Sequence, residues 1–141
     1  MALVFAPPTS CIPILTRTGS EASEAAKKAA IQYHTREKLK PESGRTMFIA
    51  RERSYHGATL GALGSSGHKS RREIFETNLP KDTAFISACN PYRDLKQGMT
   101  NDEYVEQLAQ ELEDRILEIG ADKVAGFIAE PVVGAVSGPR C

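Results

Sequence analysis

A chain of 141 residues has room for about one domain and can bury roughly two thirds of the surface that its unfolded form exposes. Its 18 basic and 18 acidic residues cancel to a formal net charge of +0, which removes the electrostatic case for nucleic acid or an anionic membrane as a partner. With 40% hydrophobic and 26% charged residues, disorder and fibrous classes are excluded as well.

The opening stretch Met1 to Pro13 is mildly apolar, but it has no basic leading region and carries Pro7, Pro8 and Pro13, so it is not read as a signal peptide. From Ala22 to about Leu39 the residues Ala22, Ala25, Ala26, Ala29, Ala30 and Tyr33 recur at helical spacing, and the pattern predicts a helix with Lys27 and Lys28 on its opposite, outer face. Pro41-Glu42-Ser43-Gly44 breaks it, and Met47–Ala50 reads as a short buried strand. Gly57 to Gly67 is small and Gly-rich, which suits a short helix or a closely approached loop. Ala84–Ser87 is a second strand, followed by turn chemistry at Asn90-Pro91-Tyr92. Tyr104, Val105, Leu108, Leu112, Ile116 and Ile119 predict a helix from Asp102 to Ile119 with Gly120 as its stop. Val124–Ala129 is continuously apolar, as a strand covered on both faces would be. Alternating helices and strands imply an α/β fold with a mainly parallel sheet.

Cys11, Cys89 and Cys141 are three and widely spaced, so neither a disulfide framework nor a CxxC metal pair is expected. No apolar run reaches the roughly 18 residues that span a bilayer. A soluble intracellular protein is the expectation, in the cytoplasm, with an organelle left open.

In an open α/β sheet, ligands gather beyond the carboxyl ends of the strands. Three segments stand out. At Thr18-Gly19-Ser20-Glu21-Ala22, free N–H groups and the positive end of a helix dipole would meet a phosphate, with Gly19 allowing close approach and the Ser20 hydroxyl adding a donor. On spacing alone, an ordinary cap with Thr18 and Glu21 in capping-box register is the favoured reading there. At Ser54-Tyr55-His56-Gly57, an aromatic ring could stack on a planar heterocycle, or Tyr55 and His56 could simply pack at the sheet rim. Glu130, before Pro131, is a carboxylate at the end of a buried strand and has to be paired, hydrogen-bonded or perturbed. Gly61 to Ser70 imitates a phosphate-binding loop, but His68 separates the last glycine from Lys69 and the register fails. His34 and His68 have no ligand spacing and read as solvated or half-buried surface residues; no metal site is expected.

Taken together, these segments resemble the class III aminotransferases, pyridoxal-phosphate enzymes of fold type I that act on ω-amino acids and related amines. Thr18-Gly19-Ser20-Glu21-Ala22-Ser23-Glu24-Ala25 is similar to the family's Ser-Gly-Ser-Glu-Ala-Asn-Glu-Ala, with Thr18 and Ser23 departing from it. Ser54-Tyr55-His56-Gly57-Ala58-Thr59 and Ile128-Ala129-Glu130-Pro131-Val132 follow in family order, so the resemblance runs from about Gly19 to Gly138. It implies that Gly19 and Ser20 take the cofactor phosphate, that Tyr55 lies against the pyridine ring, and that His56 and Glu130 line the site. It also implies an amine donor, a keto-acid acceptor and a homodimer. Residues 18–141 would be part of the large cofactor domain, a partial fold type I sheet with flanking helices, preceded by an atypical segment 1–17.

In that family an Asp-Glu-Val segment and then the Schiff-base lysine lie well downstream of the Glu-Pro strand. These 141 residues hold neither, so the resemblance implies a fragment with no catalytic residue of its own, inactive by itself. Two alternatives stay open: an α/β module for another phosphorylated ligand, and a non-catalytic, decayed gene product.

Overall fold

The computed structural model describes residues 15–37, 41–42 and 44–134. Three short strands, β1 (Met47–Arg51), β2 (Thr83–Ile86) and β3 (Val124–Ile128), form one parallel sheet in the order β2-β1-β3. Ala50 lies opposite Phe85 on one side and Ile128 on the other, with one register irregularity near Met47. The parallel sheet follows from the sequence pattern, since each pair of strands is separated by helical segments long enough for a crossover.

Phe48, Ile49 and Ala50 of the middle strand are 2%, 0% and 0% exposed, which makes β1 the centre of the core. Ala62, Leu63, Leu79, Ile86, Tyr104 and Ala125 close around it. The expectation that Val124–Ala129 is covered on both faces is not met among the described residues. As an edge strand paired only with β1, β3 leaves Phe127 40% exposed.

Helix α1 (Gly19–Gln32) starts three residues before the predicted helix and passes into a π-helical turn at Tyr33–Glu37. There the His34 carbonyl accepts the Glu42 N–H at 2.7 Å, turning the chain towards β1. Leu39 lies outside the described residues. The predicted orientation of this helix is corrected by Lys27, which is 6% exposed and is its one buried residue, while Ala26 and Ala29 are exposed. Lys27 Nζ reaches Asp82 Oδ2 and Ser65 Oγ, both at 2.9 Å, and stands 5.0 Å from the centre of the Phe48 ring. Hydrogen bonding and a cation over an aromatic ring let a charged residue take the inner face.

Beyond β1 come two single-turn helices, α2 (Leu60–Gly64) and α3 (Lys69–Arg72), then a 3-10 stretch at Glu73–Asn78. After β2, the predicted turn at Asn90-Pro91-Tyr92 is a four-residue helix, α4 (Pro91–Asp94). Helix α5 (Asn101–Ile119) opens on a full capping box between Thr100 and Glu103 and ends at Gly120, whose φ of +100° suits glycine. Its buried Tyr104 hydroxyl donates to the Ala88 carbonyl at 3.2 Å and accepts the Asn90 N–H at 3.1 Å, tying the helix to the exit of β2.

Candidate cofactor site at the carboxyl edge of the sheet

Because all three strands run the same way, the segments that follow them gather at one edge. The start of α1 joins them, since Ser20 Oγ accepts the Ala58 N–H at 2.9 Å and Ser23 Oγ donates to the His56 carbonyl at 2.6 Å. Gly57 makes this approach possible. Its φ is +142°, and a Cβ there would stand 2.7 Å from Ser20 Oγ and 2.8 Å from Ser20 Cα.

At the first turn of α1 the cap is formed, and it leaves unused the donors that the alternative reading on sequence alone requires. Thr18 Oγ1 accepts the Glu21 N–H, at 3.2 Å, and the Glu21 carboxylate turns back to the Arg17 N–H at 2.8 Å. Among the described residues, the N–H groups of Gly19 and Ser20 meet no acceptor. The Ser20 hydroxyl keeps its own proton to give, because its oxygen is the acceptor in the Ala58 contact. Among the described residues, nothing lies within 4 Å of the position a Gly19 side chain would take. Open space therefore faces two unused donors at the positive end of a helix dipole.

Tyr55 is half-buried, and the Arg71 guanidinium lies 4.3 Å from its ring centre. One face of the ring is thereby occupied. The Tyr55 N–H makes a long 3.5 Å hydrogen bond to Glu130 Oε2, which joins the exit of β1 to the exit of β3 and places the Glu130 carboxylate beside Tyr55. His56 donates its N–H to Ser66 Oγ at 2.8 Å. Burial holds the His56 imidazole below its ordinary pKa, in the neutral form at physiological pH. Its Nε2 is buried and has no hydrogen-bond partner among the described residues. An unmet buried nitrogen, two unused helix donors and the space before Gly19 fit a phosphorylated heterocycle.

A cleft of about 930 Å³ opens at the same edge, lined by Ser54, Glu130, Arg51, Arg53 and Cys89 among others. Of the expected site residues Glu130 is in its wall, while Gly19, Ser20, Tyr55 and His56 are not. Arg53, at φ +59°, lines the cleft and pairs with Asp94 at 2.6 Å.

The Gly61–Ser70 segment is a support for this loop and no phosphate cradle. Ser54 Oγ accepts the Gly67 N–H at 3.1 Å, and Arg72 donates to the carbonyls of Leu63, Gly64 and Ser66 at 3.2, 2.7 and 2.9 Å. Sequence reading missed Ser66 and Arg71 as supports of the site. Ser65 and Ser66 prove buried, which their polar side chains do not announce in the sequence. His34 and His68 are half-buried as expected, and no group of His, Cys, Asp and Glu suited to a metal ion occurs among the described residues. Nor is any described helix long and apolar enough to cross a membrane.

The family description "Aminotransferase class-III" matches residues 4–138. A protein of Gibberella zeae named aminotransferase is 49% identical over 123 residues, which are 86% of this chain and 24% of that protein. The mitochondrial gamma-aminobutyrate transaminase 1 of Oryza sativa subsp. indica is 37% identical over 121 residues, 85% of this chain and 22% of that protein. A pyridoxamine-phosphate-bound aminotransferase structure from Vibrio fluvialis superposes with a TM-score of 0.74 at 33% identity, covering 85% of this chain and 25% of that one. The chain spans about a quarter of the length of these relatives. With the family match running through the α1 start, the Tyr55 loop and the Glu130 strand alike, the chain belongs to the class III aminotransferases, a pyridoxal-phosphate-dependent family.

Proposed function

We propose that this chain supplies the phosphate grip and one flank of the ring site in a pyridoxal-phosphate-dependent aminotransferase, within the large cofactor domain to which residues 18–141 contribute. The observation that carries the reading is the pair of unused N–H groups at Gly19 and Ser20, fixed against the Tyr55–Ala58 loop by the Ser20–Ala58 bond. Gly19 and Ser20 would hold the phosphate, the face of Tyr55 opposite Arg71 would meet the ring, and His56 and Glu130 would border it. Bound there, pyridoxal phosphate supplies an electron-withdrawing ring that stabilises the carbanion left when a proton leaves the substrate carbon.

His56, kept neutral by burial, can donate or accept one hydrogen bond through Nε2 without adding charge. Glu130 steadies the backbone of Tyr55 and keeps a carboxylate at the rim. The reaction of the intact protein would be amino transfer from an amine or ω-amino acid to a keto acid, in keeping with the relative named for gamma-aminobutyrate. A homodimer inside the cell, in the cytoplasm or an organelle, is the form that the family suggests.

The test is a titration of the chain with pyridoxal phosphate and with pyridoxal. Saturable binding of the first, with pyridoxal weaker by at least about tenfold, supports the phosphate grip. Equal affinities would sink it.

A further inference from the structure

Four side chains of α1 stand on one stripe, at Ser20, Ser23, Glu24 and Lys27, spaced 0, 3, 4 and 7 along the helix. Each ends on a different group. Ser20 accepts from the Ala58 N–H, Ser23 donates to the His56 carbonyl, and Glu24 Oε1 accepts from the Thr59 hydroxyl at 2.7 Å. Lys27 donates to Ser65 and Asp82. The stripe thus fastens the helix to the whole segment from His56 to Ser65, and through Asp82 to the start of β2.

The four contacts are not equivalent. Those of Ser20 and Glu24 are exposed and that of Ser23 is partly buried, so water competes for all three. Lys27 is the buried member, and any shift of the helix that parted it from Asp82 would leave a charge without a partner in the interior. A slip of one residue moves the helix by about 1.5 Å and turns the stripe by about 100°, which would break that pair. Lys27 stands about 10 Å along the helix from Ser20, too far to touch a ligand held at the first turn.

We infer that Lys27 is a positioning residue: its buried ammonium, held by Ser65 and by the partly buried Asp82 carboxylate, sets the height of α1, so that the Gly19 and Ser20 N–H groups and Tyr55 face one phosphorylated ligand. This rests on the phosphate reading above. A lysine that served stability alone would matter equally for every ligand, whereas a positioning lysine matters for the phosphate.

The experiment compares the wild-type chain with Lys27→Met, Lys27→Arg and Asp82→Asn, reading two quantities. One is the ratio of pyridoxal phosphate to pyridoxal affinity. The other is amide hydrogen exchange at Ala58, with Phe48–Ala50 of β1 as the internal control for folding. Lys27→Met and Asp82→Asn are expected to lower the affinity ratio by about tenfold and to speed Ala58 exchange by a similar factor, with β1 still protected. Lys27→Arg should recover most of both, because a guanidinium can still reach Asp82.

An unchanged ratio and unchanged Ala58 exchange in Asp82→Asn and Lys27→Met would overturn the inference. So would equal weakening of both ligands. If Lys27→Met also exposes β1, the milder Asp82→Asn decides on the same outcomes. If the wild type does not distinguish the two ligands, the phosphate reading has failed, and Ala58 exchange alone decides the role of Lys27.

Discussion

Ser20 Oγ accepts the Ala58 N–H at 2.9 Å, so the hydroxyl placed to serve a phosphate also pins the loop that carries Tyr55 and His56. Loss of that oxygen has two separable effects. Ser20→Ala is expected to weaken pyridoxal phosphate by about 1.5–3 kcal/mol, the range of a hydrogen bond to a charged group, and to lower stability by about 1 kcal/mol. Titration and denaturant unfolding measure the two independently. An unchanged dissociation constant would remove Ser20 from the phosphate site.

Gly57 is the position where this junction tolerates least change. An alanine there would take a φ of +142° and bring its Cβ to 2.7–2.8 Å from Ser20 and Ala62. Gly57→Ala is expected to destabilise the fold by about 1–3 kcal/mol or more. Wild-type denaturation behaviour in that variant would contradict the close packing of the loop on α1.

Burial depresses the folded-state pKa of His56 below the ordinary imidazole value of 6.5, so the unfolded chain binds the proton more readily. The resulting stability is fully present above pH about 6.5 and is lost as pH falls towards the lowered folded value. His56→Gln should flatten that part of the pH–stability profile. A profile of unchanged slope in the variant would show that His56 is not the group responsible.

The strands and the long helix were legible because burial imposes its own pattern. Met47–Ala50 is apolar without interruption since β1 is the middle strand, and α5 repeats its apolar residues because one side meets the sheet. The orientation of α1 was not legible. Alanines cover so much of its circumference that hydrophobic period selects no single face, and its docking is written in Ser20, Ser23, Glu24 and Lys27, whose hydrogen bonds leave no hydrophobic signature. The positions of Gly19, Ser20, Tyr55, His56 and Glu130 at one sheet edge follow from motif order. The Arg71 contact on Tyr55 and the seat of His56 on Ser66 depend on how α2 and α3 fold back, which short polar segments do not announce.

Among the described residues, β2 and β3 each pair only with β1, and Phe127 of β3 and Val132 and Val133 in the segment after it are exposed. Unpaired parallel edges invite association. The 141-residue chain is expected to self-associate at micromolar concentration, as read by sedimentation velocity. A stable monomer with a sharp cooperative melt would show that these edges need no cover.

The phosphate grip is tested most directly by amide chemical shifts of the 15N-labelled chain during titration with pyridoxal phosphate. Saturable shifts should concentrate at Gly19, Ser20, Tyr55 and Ala58, with inorganic phosphate moving Gly19 and Ser20 but not Tyr55. The amides of α5 from Tyr104 to Ile116 should stay in place. Saturable shifts confined to other residues, or none at Gly19 and Ser20 while the ligand binds, would contradict the assignment of the cofactor phosphate to the start of α1.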